Sequence, residues 1–210
     1  MTAFLSLVQW LSPAFPTGAF AYSHGLEAAM AGGGVTDAMT LRDWVAGVLR
    51  HGAGRTDAIL LARGMDPDAD LDALADLARA LAGSAERLRE TVEQGAAFAA
   101  TTGALAGDEH PARPLPLAVA QAARGLGLPA PQVCAVYLQA FAGTLVLAGV
   151  RFLPLGQTEG QRVLAALHPL IGALADEAAT APAGAIGGLA FGAEIAAMAH
   201  ETLDVRIFRT

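Results

Sequence analysis

Hydrophobic positions recur at three- and four-residue steps along most of the chain, which is the period of an amphipathic helix. Between residues 71 and 81, one face would carry Leu71, Leu74, Leu77, Ala78 and Leu81. Glycine and proline separate the periodic stretches, and β-branched runs bounded by turn residues are absent. The pattern predicts an all-α, single-domain helical bundle over 1–210, with helices at 4–11, 23–30, 40–49, 57–63, 71–81, 85–104, 117–126, 129–150, 158–179 and 189–201.

Helix-start signals and irregular stretches complete this prediction. Capping boxes are predicted at Thr40 and at Thr158, where short polar side chains can bond the first free N–H groups. Residues 12–18 contain two prolines and a glycine, which predicts a rigid connector. Both terminal segments are expected to be mobile, and residues 202–210 are interpreted as a partner-binding tail.

Composition favours a globular protein with partners. Hydrophobic residues make up 54% of the chain and charged residues only 16%, which excludes a disordered chain. Because few ionised groups are available to cover the surface, we expect apolar area to be buried against other molecules as well as in the core.

The charged residues exclude several functions. All 13 basic residues are arginine, which excludes lysine Schiff-base and P-loop lysine chemistry. The net charge of -7 gives no basic footprint for nucleic acid. Cys134 is the single cysteine, which excludes an internal disulfide. The N-terminal stretch lacks a basic flank, so we expect no secretory signal and a cytoplasmic protein.

One stretch is apolar enough to raise the question of a membrane. Residues 133–150 carry no charge and would span about 27 Å as a helix, just enough for a bilayer. The stretch contains Tyr137, Gln139, Gly143 and Thr144, so we expect the buried central helix of a soluble bundle. A protein that binds an apolar ligand within such a bundle remains an alternative.

The search for catalytic chemistry gives one weak candidate. His200 and Glu201 resemble the start of a zinc-binding H-E-x-x-H helix, but the fifth position is Asp204. His200 and Asp204 could share a helix face, although two ligands are fewer than a catalytic metal site needs. A metal-dependent enzyme using His200, Glu201 and Asp204 is therefore an alternative, and no cofactor or metal site is predicted.

Three segments carry aromatic and arginine residues that a simple bundle does not require. They are residues 11–27, residues 150–161 and the tail from residue 198 onward. Aromatic side chains and arginine are the usual anchors of protein interfaces. Their concentration near turns and at the C-terminus predicts contacts with other macromolecules.

The three segments together resemble the UreF family of urease accessory proteins. Residues 11–27 match the family pattern L-S-P-x-x-P-x-G-x-F-x-Y-S-x-G-L-E, and residues 151–161 match R-x-x-P-L-G-Q-T-x-G-Q. The C-terminal pattern M-x-H-E followed by R-L-F-R-S is matched from Met198 onward. Its two departures are Ile207 and Thr210.

The resemblance implies an all-α chaperone without enzymatic activity of its own. Such a protein would form a homodimer and bridge UreD (also called UreH) and the GTPase UreG on apo-urease. It would regulate the GTP-dependent delivery of nickel during urease maturation. By motif match, the residues expected to contact partners are Phe20, Tyr22, His24, Glu27, His200, Glu201, Arg206, Phe208 and Arg209.

Overall fold

Residues 1–209 are described by a computed structural model of the chain. This part contains ten α-helices, two single 3₁₀ turns at Ala19–Ala21 and Ala183–Ala185, and no strand. The predicted all-α bundle is confirmed. The helices are α1 (Thr2–Trp10), α2 (Leu26–Ala31), α3 (Ala38–His51), α4 (Ala53–Gly64), α5 (Leu71–Ala80), α6 (Ala85–Ala106), α7 (Leu115–Arg124), α8 (Ala130–Phe152), α9 (Gln157–Thr180) and α10 (Phe191–His200).

The long apolar helix α8 forms the centre of the bundle. It packs along α9 and also against α3 and α4, so its apolar surface is covered on several sides. Val133, Leu138 and Leu145 on α8 are fully buried. By length and composition both α8 and α9 could cross a membrane, with half and one third of their most apolar windows buried, respectively. In the sequence, the charge-free stretch that raises the question of a membrane lies within α8.

Neither predicted capping box begins at the expected residue. Helix α3 begins two residues earlier than predicted because Asp37 is its N-cap, and Thr40 completes the capping box from inside the helix. The Thr40 N–H donates to Asp37 Oδ1 at 2.8 Å, and the Asp37 N–H donates to Thr40 Oγ1 at 3.0 Å. Helix α9 begins after Gly156 without any side-chain cap, so Thr158 does not form the predicted box.

The end of α10 bears on the alternative of a metal site formed by His200, Glu201 and Asp204. The helix stops at His200, and residues 201–209 are irregular. The sequence pattern predicts helix to Glu201, with His200 and Asp204 on a shared face if the helix persists. Because the helix stops first, that shared face does not form.

Candidate functional site

The site is organised around an acidic face of α6. Glu86, Glu90 and Glu93 follow each other at steps of four and three residues, which places them on one side of the helix. Glu86 and Glu90 are buried, although they are carboxylates. Sequence analysis missed these residues, and their helical spacing was the available signal. Buried carboxylates need cationic or hydrogen-bonding partners, and the three predicted motifs supply them.

His200 at the end of α10 lies between two carboxylates. Its Nδ1 is 2.8 Å from Glu86 Oε2, and its Nε2 is 3.0 Å from Glu27 Oε2. The imidazole is fully buried. His200 therefore ties α10 to both α2 and α6.

Glu27 on α2 also holds the residues that follow α10. Its Oε1 accepts the Ile207 N–H at 2.8 Å, and its Oε2 accepts the Phe208 N–H at 2.9 Å. Burial by itself would raise the pKa of Glu27, but the hydrogen bonds from His200, Ile207 and Phe208 outweigh it and lower the pKa. Glu27 is thus a buried, ionised acceptor shared by α10 and the C-terminus.

Two arginines fasten the same segment to α6. Arg206 donates to Glu86 Oε1 at 2.8 Å, and Arg209 lies 3.4 Å from Glu93 Oε2. The Arg209 N–H also donates to the Ala21 carbonyl at 2.6 Å. We call α10 together with residues 201–209 the C-terminal arm. Residues 202–209 of the predicted tail lie within it, and Thr210 lies outside the described residues.

Tyr22 lies beneath this arm. Its hydroxyl donates to Glu93 Oε2 at 2.7 Å, and its side chain is buried. Burial and the neighbouring Glu93 carboxylate raise the pKa of Tyr22 to about 12, so the hydroxyl keeps its proton at neutral pH. The Tyr22 hydroxyl therefore stabilises the contact between the first motif and α6.

His24 forms the link to the interior of the bundle. Its backbone has a positive φ of 52°, and its Nε2 is 3.0 Å from Glu90 Oε1. Burial would raise the pKa of Glu90, but the charges of His24 and Arg87 lower it. The His24 ring also packs on Phe141 of α8 at a centroid distance of 4.7 Å.

Arg151 connects the middle motif with the other two. Its guanidinium donates to the Phe20 carbonyl at 3.1 Å, and its Cζ lies 5.0 Å from the centre of the Phe208 ring. A cation over an aromatic face is attractive, and Phe208 is itself buried. The three motifs, which are far apart in the chain, therefore meet at one place.

The predicted partner-contact residues fall into two groups by exposure. Phe20, Glu201, Arg206 and Arg209 are exposed, whereas Tyr22, Glu27, His200 and Phe208 are buried and His24 is nearly so. Glu201 accepts the Ala85 N–H at 3.1 Å, at the start of α6. Apart from Phe20, whose carbonyl binds Arg151, these side chains bind the chain's own helices and motifs. Mobility of the terminal segments stays a prediction.

The two alternatives find little support at this site. Within residues 1–209, no group of three or more His, Cys, Asp or Glu side chains is placed to hold a metal ion. A cavity beside α8 has a volume of about 100 Å³ and is lined by residues that include Trp10, Phe98 and Phe141. Pockets for drug-sized ligands are about 300–1,000 Å³.

Gly25 allows α10 to approach the first motif, and it provides a prediction. It has a φ of +73°, and a Cβ there would lie 2.5 Å from the Ala197 backbone nitrogen. Gly18 has a φ of +75° but open space around it, so Gly18→Ala measures backbone strain alone, about 1–2 kcal/mol. We expect Gly25→Ala to cost about 1–3 kcal/mol more, because the extra methyl group displaces α10.

Urea unfolding and hydrogen exchange of α10 would measure both variants. Equal losses of stability in the two variants would contradict the close contact between Gly25 and α10.

Comparison with known proteins gives one consistent result. The family model described as UreF matches residues 35–168. A relative from Cereibacter sphaeroides, named "Urease accessory protein UreF", is 65% identical over 99% of both chains. Relatives of the same name from Jannaschia sp. and Dinoroseobacter shibae are 53% and 52% identical, over 98% and 100% of this chain and 94% and 100% of their own length. The alignment over the whole chain includes the N- and C-terminal motifs, which lie outside the stretch matched by the family model.

Proposed function

Because the chain belongs to the UreF family of urease accessory proteins, we propose that it is a scaffold for nickel insertion into urease. In this role it bridges UreD (UreH) and the GTPase UreG on apo-urease and regulates GTP-dependent nickel delivery. The observation that carries the proposal is the convergence of the three motifs on the C-terminal arm. A folded arm of this kind presents a defined surface to other proteins.

The outer side of the arm supports an interface there. Phe191, Ile195 and Met198 follow at steps of four and three residues on α10 and are 68%, 51% and 53% exposed. Val205 and Ile207 in the tail are 82% and 62% exposed. We call these residues the apolar strip. Exposed aromatic and aliphatic side chains arranged in rows mark interaction surfaces, and we assign this strip to the assembly partners.

A second apolar row supports self-association. Met1, Leu5 and Val8 lie at steps of four and three residues at the N-terminus and on α1, and all are exposed. We assign this row to the homodimer contact.

The charges of the site support a role without catalysis. The buried carboxylates Glu27 and Glu86 are both bound to His200, and Glu90 is bound to His24 and Arg87. Buried carboxylates that are paired with histidine and arginine in this way stabilise the position of the C-terminal arm on the bundle. We further propose a cytoplasmic protein that uses no cofactor and binds neither nucleic acid nor a membrane, in keeping with the net charge of -7.

Truncation after Val205 tests the proposal. The truncated chain loses the backbone N–H groups that bind Glu27 and both terminal arginines, but no core helix. We expect its capture of UreD and UreG from co-expressing cells to fall at least about tenfold, which corresponds to roughly 1.4 kcal/mol. Its circular dichroism should remain that of the full chain.

Arg162→Ala is the matched control, because Arg162 is exposed on α9 and pairs with Glu159 one turn away. It should leave capture unchanged. Full capture of both partners by the truncated chain would overturn the proposed function.

A further inference from the structure

The two hydrogen-bonded contacts of His200 require an additional proton. Each ring nitrogen faces a carboxylate oxygen, Glu86 Oε2 at 2.8 Å and Glu27 Oε2 at 3.0 Å. A neutral imidazole has one N–H and would point the bare lone pair of its other nitrogen at a carboxylate. The contacts are satisfied only when the three side chains together hold two protons, either as an imidazolium or with one proton on a carboxyl group.

The charges around His200 also indicate that the three side chains hold two protons. The charged and titratable groups that face His200 are Glu27 from α2 and Glu86 from α6, with Arg206 from the tail bound to the far side of Glu86. Without the second proton on this cluster, two carboxylates would be balanced by one arginine. An uncompensated charge in a buried site is costly, whereas the extra proton makes the cluster neutral. The neighbouring Glu90 is already bound to His24 and Arg87.

An arm that leaves the body would release this proton. His200 is part of the arm, whereas Glu27 and Glu86 remain on the body. In water an imidazole carries its second proton only below about pH 6.5. Above that value, opening releases one proton and is therefore favoured by rising pH. The stability of the closed arm is fully present at low pH and decreases as the pH rises.

We propose that the Glu27–His200–Glu86 cluster is a proton-dependent latch that holds the C-terminal arm closed and loosens its hold as the pH rises. Opening removes the apolar strip from its position on the body and exposes the acidic face of α6. Regulation of partner capture by this latch rests on the proposed function, but the opening of the arm is a property of the isolated chain. Local pH thereby adjusts how much of the scaffold is ready to assemble.

Hydrogen exchange on the full-length isolated chain tests the latch. Protection of residues 201–209 is measured at pH 6.5, 7.5 and 8.5, after correction for the intrinsic exchange rate at each pH. We expect the protection to fall by up to about tenfold per pH unit, the dependence for one linked proton. Peptides from the buried part of α8 should show constant protection. Constant protection of residues 201–209 as well would overturn the proposal.

Two variants separate the proton from the packing. In the double variant His200→Gln/Glu86→Gln the side chains can still form hydrogen bonds, and Glu27 is the one carboxylate left beside Arg206. This cluster needs no extra proton, so its arm should show no pH dependence. Arg206→Gln should lower protection at every pH and keep the same dependence, because His200 and both carboxylates remain. A pH-dependent arm in the double variant, or a pH-independent one in Arg206→Gln, would contradict the latch.

Partner capture at pH 6.5 and 8.5 separates this inference from the proposed function. Unchanged capture with pH-independent exchange would overturn the latch and leave the scaffold role intact. Hydrogen exchange that depends on pH, with no capture at either pH, would overturn the scaffold role and leave the latch intact.

Discussion

Replacement of Glu27 by alanine is expected to detach the C-terminal arm from the body of the protein. Glu27 is a buried carboxylate that binds His200 and accepts the N–H groups of Ile207 and Phe208. Removal of one partner from a buried charge pair typically costs about 3–5 kcal/mol. Hydrogen exchange should show loss of protection in residues 201–209, and the rest of the bundle should remain folded.

Glu177→Ala provides the matched control for this variant. This variant also loses one ion pair, which Glu177 forms with Arg55 at 2.8 Å, but the Glu177 side chain is 48% exposed. Exposed pairs contribute about 0–1 kcal/mol, so this variant should resemble the parent chain. An arm that stays protected in Glu27→Ala would show that packing of Phe208 and α10 holds it without the carboxylate.

Replacement of Asp57 by alanine should destabilise the whole bundle. Asp57 on α4 accepts from Arg87 at 2.6 Å and from the Tyr137 hydroxyl at 2.7 Å, which links α4 to α6 and α8. Burial and the Asp57 charge raise the pKa of Tyr137, so its hydroxyl stays protonated and needs an acceptor. The loss should be about 3–5 kcal/mol. At about 2–4 °C per kcal/mol, this lowers the Tm by roughly 6–20 °C.

Thermal unfolding of Asp72→Ala checks that the loss of stability in Asp57→Ala comes from the burial of Asp57. Asp72→Ala also removes a carboxylate that pairs with an arginine, but an exposed one. Asp72 pairs with Arg113 at 2.8 Å, but its side chain is 84% exposed. The Tm of this control should change by no more than about 4 °C, because the Asp72 carboxylate is solvated and Arg113, whose side chain is 12% exposed, keeps Gln121 as an acceptor. Similar Tm values for Asp57→Ala and Asp72→Ala would contradict a structural role for the buried network.

The helices of this protein were predictable because their apolar positions repeat with the helical period. The stretch 71–81 became α5 with one residue of difference at its end. The start of α3 was missed because Asp37 and Thr40 are both good cap residues, and only the backbone distinguishes the N-cap from the third helical position. Helix boundaries of this kind depend on single hydrogen bonds, which periodicity does not contain.

The site was predictable in its residues but not in its contacts. Aromatic and arginine side chains in three segments indicated interfaces, and the family resemblance singled out Tyr22, His200 and Arg206 among others. That these motifs meet on Glu86, Glu90 and Glu93 depends on how α2, α6 and α10 pack, which is a long-range property. The buried carboxylates were overlooked because a run of charges on a helix is usually a solvated face. Their partners explain why this helix face is buried.

The nickel content of urease tests the central claim most directly. Urease, UreD and UreG are expressed with the parent chain, with Glu27→Ala or with Glu177→Ala, and the purified urease is analysed for nickel per active site. If the closed C-terminal arm is what partners recognise, the parent chain and Glu177→Ala should give loaded urease. Glu27→Ala should give at most about one tenth as much, the change expected for a loss of roughly 1.4 kcal/mol in assembly. Fully loaded urease from a Glu27→Ala chain whose arm is open by hydrogen exchange would contradict the account.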